Sequence, residues 1–191
     1  METLAHPIAA VTHPNPYPYY AQLVAENPLY YDDELGMWIA SSAEAVTEVL
    51  TSELCRVRPT TEPIPKALLD SPAADIFIGL VRMSDGERHR SLKKAVSSSL
   101  TSLDTDQITK LSQQWAEILA QEMLPHRLSE FTFQLSVYVI GSLLGIPRDL
   151  LSSTAHWMGD FVRCLAPGSN TEQIEKGKVV AGELLELMRS V

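Results

Sequence analysis

Residues 130–145, EFTFQLSVYVIGSLLG, carry apolar side chains around the whole circumference of a helix. A helix that is hydrophobic on every side is expected to be buried on every side. It has to be surrounded, and the segments flanking it are themselves helical in pattern. Ile108, Leu111, Trp115, Ile118, Leu119 and Met123 recur at helical spacing after Asp104. Leu150, Leu151, Trp157, Met158 and Phe161 do so after Pro147, and Ile174, Val180, Leu184, Leu187 and Met188 after Thr171. The fold class expected is therefore mainly α.

The only β signal lies near the N-terminus. Leu29, Tyr30 and Tyr31 suit one strand, DELG a turn, and Met37, Trp38 and Ile39 the return strand. Ahead of this hairpin, Pro7, Pro14, Pro16 and Pro18 predict an extended arm over residues 1–18. Residues 19–55 read as helix, hairpin, helix. The second helix is capped by Ser41 or Ser42 and places Ala45, Val46, Val49 and Leu50 on one face. Residues 56–83 hold Pro59, Pro63, Pro65 and Pro72 and predict an irregular, loop-like region. Its apolar run Ile76, Phe77, Ile78, Leu80, Val81 is expected as an anchor or as pocket lining. Residues 84–191 form the helical region. The first helix there is expected to start on a capping box with Ser84 as cap and Glu87 three residues later.

The 191 residues suit one domain, read here as a single partial domain, because the last helix reaches Val191 without a stop signal. A formal charge of −9 argues against a nucleic-acid partner. No run approaches the ~18 apolar residues of a membrane span, and no basic segment precedes an apolar one at the N-terminus. Cys55 and Cys164 match no metal or redox spacing, which suits idle thiols in a reducing cytoplasm. His6, His13, His126 and His156 read as isolated, and no metal site is expected.

Against this acidic background, DGERHRSLKKAV at 85–96 concentrates four cations and a histidine between Arg88 and Lys94. On a helix, His89 and Lys93 share one face, and Arg90 and Lys94 the next. Paired donors one turn apart can hold a carboxylate or phosphate. A solvated face is the plain alternative.

Three stretches, NPYPYYAQLVAENPLYYDDELGMWIASSAEAVTEVL, RMSDGERHRSLKKAVSSSL and FTFQLSVYVIGSLLGIP, occur in that order from about Pro14 onward. Together they resemble the N-terminal half of a bacterial cytochrome P-450, a haem-thiolate monooxygenase. The resemblance implies the N-terminal portion of that fold and haem as cofactor. The family places a His and, four residues later, an Arg against a haem propionate. Here the positions are His89 and Lys93, and Lys lacks the bidentate fork of Arg. Arg90 and Lys94 resemble the patch that receives a ferredoxin-type electron donor. Phe77 and Leu80, with Phe161 and Leu165, resemble the walls of a pocket for a small apolar substrate. The family's proximal Cys, its oxygen-activating helix and its Glu-x-x-Arg helix have no counterpart here, so no catalytic residue is assigned. The chain alone is expected to be inactive and to need the missing C-terminal half or a partner protein. A haem-free auxiliary supporting a biosynthetic partner enzyme is the second implied reading.

Overall fold

The computed structural model describes residues 6–11, 13–122, 124–166 and 168–191. Met123, expected on the apolar face of its helix, lies outside them. The chain divides into two compact units, Met1–Arg56 and Val57–Val191.

The first unit holds α1 (Pro7–Ala10), α2 (Tyr17–Glu26), the hairpin strands β1 (Leu29–Asp32) and β2 (Met37–Ala40), and α3 (Ala43–Thr51). The strands pair antiparallel, with Leu29 opposite Ala40 and Asp32 opposite Met37. Asp32 tightens the turn by accepting a hydrogen bond from the Leu35 N–H at 2.9 Å. Gly36 closes it at φ +63°, a conformation that costs glycine nothing. Ser42 caps α3 through the Ala45 N–H.

The arm is not extended throughout. Pro7 sits in the first turn of α1, and the His6 ring accepts from the Ala9 N–H at 3.2 Å, so proline here starts a turn of helix. The expected apolar face of α3 is present but uncovered: no residue of α3 is buried.

The second unit carries α4 (Pro72–Gly79), α5 (Gly86–Thr101), α6 (Thr105–Glu122), α7 (Leu128–Leu143), α8 (Leu151–Cys164) and α9 (Thr171–Ser190). Short 3-10 turns lie at Lys66–Leu68, Val81–Met83, Pro125–Arg127 and Arg148–Leu150. The region expected to be irregular thus contains a helix. Pro72 occupies its first turn, where a missing N–H is no loss.

Two cores form. Phe77, Ala73, Ala74 and Leu68 pack with Phe161, Cys164, Val180, Ala181 and Leu184, joining α4 to α8 and α9. Trp115, Val139, Ile146, Leu151 and Leu187 form the other, joining α6, α7, α8 and α9. Trp115 is its polar anchor. Its indole N–H donates to Ser142 Oγ at 3.0 Å, and its ring meets Tyr138 edge-on, with centroids 4.9 Å apart. Gly145, at φ +88°, ends α7 and turns the chain toward α8. A capping box between Asn170 and Gln173 starts α9.

The expectation for α7 needs correction. Only Val139 and Gly141 are buried in it, while Ile140 is 58% and Leu144 55% exposed. One side of the helix is packed and the other is bare among the described residues. Met188 of α9, also expected inside, is 43% exposed.

Candidate functional site

The basic helix α5 begins one residue later than a Ser84 cap implies. Ser84 Oγ donates to the Val81 carbonyl at 2.7 Å and is spent on the preceding 3-10 turn. Asp85 takes the cap position, but its carboxylate accepts from the Val57 N–H at 3.3 Å rather than from the helix. The capping box is therefore replaced by a tie between the loop at Val57 and the start of α5. A second tie comes from Arg88, which donates to the Ile78 carbonyl at 2.9 Å.

His89 is half-buried, and its Nδ1 lies 3.1 Å from the Val81 carbonyl. A carbonyl oxygen can only accept, so Nδ1 carries a proton. Nε2 makes no hydrogen bond among the described residues, and it is a donor when the ring is an imidazolium. Lys93, one turn on, is exposed and has no ion pair among the described residues. Lys94 is likewise exposed, with no ion pair among the described residues. Arg90 differs: Glu87 pairs with it at 2.8 Å, with both side chains largely in solvent. Such a pair contributes little and opens readily. Overall α5 buries no residue, and Val96 and Leu100 remain 47% and 61% exposed. A helix of this kind draws little stability from packing within the chain described.

An apolar cavity of about 500 Å³ lies among α4, α7, α8 and α9. Leu80 and Phe161 both line it, beside Ile76, Ile140, Leu144, Met158, Leu185 and Met188. Phe77 and Leu165 do not. Phe77 is buried in the core, and Leu165 packs partly buried against the same cluster. The two hydroxyls in the wall are spent internally. Ser136 Oγ donates to the Thr132 carbonyl and Thr154 Oγ1 to the Leu150 carbonyl. Asp75, exposed at the edge, is the one charged residue in the lining. His89 and Lys93 do not line this cavity.

A charged cluster lies on the opposite charge logic, inside the α8–α9 contact. Asp160 is 3% exposed. Its Oδ1 accepts from Arg163 Nη1 at 2.9 Å. Its Oδ2 lies 3.0 Å from Lys176 Nζ and 3.3 Å from His156 Nε2, as charge contacts without aligned hydrogen-bond geometry. Burial alone would raise the Asp160 carboxyl, but Lys176, His156 and Arg163 outweigh it and hold the group below the ordinary carboxylate range. His156 is therefore not isolated. Its partner stands four residues on, a spacing legible in the sequence. Lys176, from the next helix, had no such signal.

Neither cysteine has the setting of a metal ligand. Cys55 is exposed and free. Cys164 is buried against Gly177, and burial pushes its thiol up, away from thiolate. Among the described residues no cluster of three or more His, Cys, Asp or Glu could hold a metal ion. No helix among them is long and apolar enough to cross a membrane.

No family model matches the chain. No solved structure matches it either. Among curated proteins it is similar to the biotin biosynthesis cytochrome P450 of Bacillus subtilis (strain 168), with 18% identity over 184 residues. That match covers 93% of this chain and 46% of the relative, so the chain spans about half the relative's length. A mainly α chain with one small N-terminal hairpin is consistent with part of the cytochrome P-450 fold.

Proposed function

We propose that this chain is the N-terminal portion of a cytochrome P-450-like monooxygenase that binds haem and oxidises a small apolar substrate. The observation that carries the reading is the pair on α5. His89 is oriented by the Val81 carbonyl through Nδ1, and Lys93 stands one turn away without an ion pair among the described residues. An oriented ring and a free ammonium one turn apart suit a carboxylate such as a haem propionate.

The residues present fit the rim of such a group and not its iron. Cys164 is committed to the α8–α9 contact, and neither cysteine belongs to a cluster of metal ligands among the described residues. The iron's ligand would come from the remainder of a longer protein or from a partner chain. When bound, haem with a thiolate ligand supplies electron transfer and oxygen activation. The chain's own residues do the rest. His89 and Lys93 hold propionates. Arg90, once released from Glu87, and Lys94 attract an acidic ferredoxin-type donor. Leu80 and Phe161 form apolar wall, with Phe77 and Leu165 as the packing behind them, and exclude water from the substrate.

Absorbance of the reduced protein under carbon monoxide tests this. The 191-residue chain alone is expected to give no thiolate-type Soret band, whereas the complete gene product gives one. A thiolate-type band from the chain alone contradicts the assignment of the ligand elsewhere. A complete product that takes up no haem replaces this reading with the haem-free auxiliary.

A further inference from the structure

Arg88 stands in the first turn of α5, where the helix dipole disfavours a cation. It is well placed for a different helix. α4 stops at Gly79, and the carbonyls of its last turn have no partners further along their own helix. The Phe77 carbonyl accepts from the Leu80 N–H at 3.1 Å, and the Ile78 carbonyl accepts from Arg88 Nη2 at 2.9 Å. A cation against a helix C-terminus is favoured by the dipole of that helix. The next side chain of α5, His89, holds the Val81 carbonyl through Nδ1 at 3.1 Å. Consecutive side chains of α5 thus grip the backbone on both sides of Leu80. Asp85 holds the start of the same segment through the Val57 N–H. Leu80 is the first residue past the helix, extended at φ −68° and ψ 121°, and it lines the cavity beside Ile76 and Gly79. An α-helix turns by about 100° per residue. One residue more or fewer in α4 therefore swings Leu80 out of the wall.

We propose that Arg88 is a positioning residue for the cavity. It caps α4 from outside, fixes where that helix stops, and so keeps Leu80 in the wall and limits the length of apolar chain the cavity accepts. Arg88 itself does not line the cavity and touches no ligand there. That the cavity receives a substrate rests on the proposed function.

The test compares two substitutions in the complete gene product. Arg88→Met keeps the stem and removes the donor, whereas Arg88→Lys keeps a charged donor. Amide hydrogen exchange is read at Leu80 and Met83, whose N–H groups close onto the Phe77 and Leu80 carbonyls. Val180, in the core on α9, reports global stability. Arg88→Met should speed exchange at Leu80 and Met83 by about threefold to tenfold, the scale of one hydrogen bond from a charged donor, and leave Val180 unchanged. Arg88→Lys should restore most of the protection. Calorimetric titration with straight-chain alcohols from hexanol to dodecanol reads the wall. With Leu80 displaced, Arg88→Met should raise the affinity for dodecanol relative to hexanol by about threefold, and Arg88→Lys should match the wild type. Four results would overturn the proposal: unchanged exchange at Leu80 and Met83, a loss of protection shared equally by Val180, an unchanged affinity ratio, or Arg88→Lys behaving as Arg88→Met does. A wild type that binds none of the alcohols overturns it too. Neither readout passes through haem. A product that shows these changes but takes up no haem keeps the role of Arg88 and removes the proposed function. Haem uptake without the changes does the reverse.

Discussion

Gly177→Ala should lower the stability of the chain, whereas Gly182→Ala in the same helix should raise it. A Cβ at Gly177 would lie 2.1 Å from Cys164 Cβ and 2.6 Å from its Sγ. Carbon atoms need about 3.5–4 Å. Cys164 Cβ is fixed by its backbone and cannot swing aside, so α8 and α9 must part. Alanine gains about 1 kcal/mol over glycine in a helix, but overpacking a close contact costs about 1–3 kcal/mol and occasionally more. With backbone-anchored atoms on both sides the clash wins, by about 2 kcal/mol, or about 5 °C in the thermal midpoint. At Gly182 the nearest atom is Pro72 Cγ at 3.8 Å, an ordinary contact. There the helix gain stands alone, at about 0.5–1 kcal/mol. Cys164→Ala should not rescue Gly177→Ala, since it keeps the Cβ. Thermal unfolding of the four variants decides the matter. Gly177→Ala as stable as Gly182→Ala would show that the helices do not approach at that point.

Asp160→Ala should cost about 2–3 kcal/mol. The carboxylate is buried between α8 and α9, and Lys176 is its contact from α9. Removing one member of a fully buried pair costs about 3–5 kcal/mol, because a charge is stranded. Here the cations are not stranded: Arg163, Lys176 and His156 are 64%, 54% and 68% exposed and turn to water. The loss is then closer to that of a charge-assisted hydrogen bond, about 1.5–3 kcal/mol. The pH dependence follows in sign. A carboxyl held below its ordinary value of 3.8 contributes stability that is complete above that value and is lost as pH falls through the lower folded value. The difference between wild type and Asp160→Asn should therefore be constant at neutral pH and shrink only in acid. Denaturant titrations across pH check this. A difference that grows in acid would mean the carboxyl is raised, not lowered.

Much of the fold was legible because its signals are local. The hairpin follows from alternating large side chains around Asp32 and Gly36, and α3 follows from Ser42. Proline was harder to read. Pro7 and Pro72 look like breakers in a string of prolines, yet each occupies a first helical turn. Their role depends on where the helix begins, which proline alone does not say. The start of α5 shows a competition between partners. Ser84 and Glu87 have the spacing of a capping box, but the Val81 carbonyl, only three residues back, takes the serine hydroxyl. The apolar circumference of α7 promised complete burial, and the chain described covers one side. Apolar residues on every side of a helix do not say which side the chain packs, and here the packed side holds Val139 and Gly141.

At the candidate site, spacing put His89 and Lys93 one turn apart on α5, and the family resemblance named Leu80 and Phe161, which line one cavity. Neither separated lining from backing, because Phe77 and Leu80 are both apolar and stand three residues apart. Only the packing of α4 against α9 turns Phe77 inward. The Asp160 cluster is half local and half tertiary. His156, Asp160 and Arg163 fall at i, i+4 and i+7, while Lys176 arrives only when α9 folds back.

The central claim is that His89 and Lys93 grip carboxylates of a porphyrin. Its most direct measurement compares the affinity of the complete gene product for haem with its affinity for the dimethyl ester of haem, which lacks both charges. His89→Ala and Lys93→Ala are each expected to weaken haem by about tenfold, the scale of one charge-assisted hydrogen bond, and to leave the ester unaffected. If both variants bind haem as tightly as the wild type, or if the ester is weakened equally, the carboxylates are not what these side chains hold.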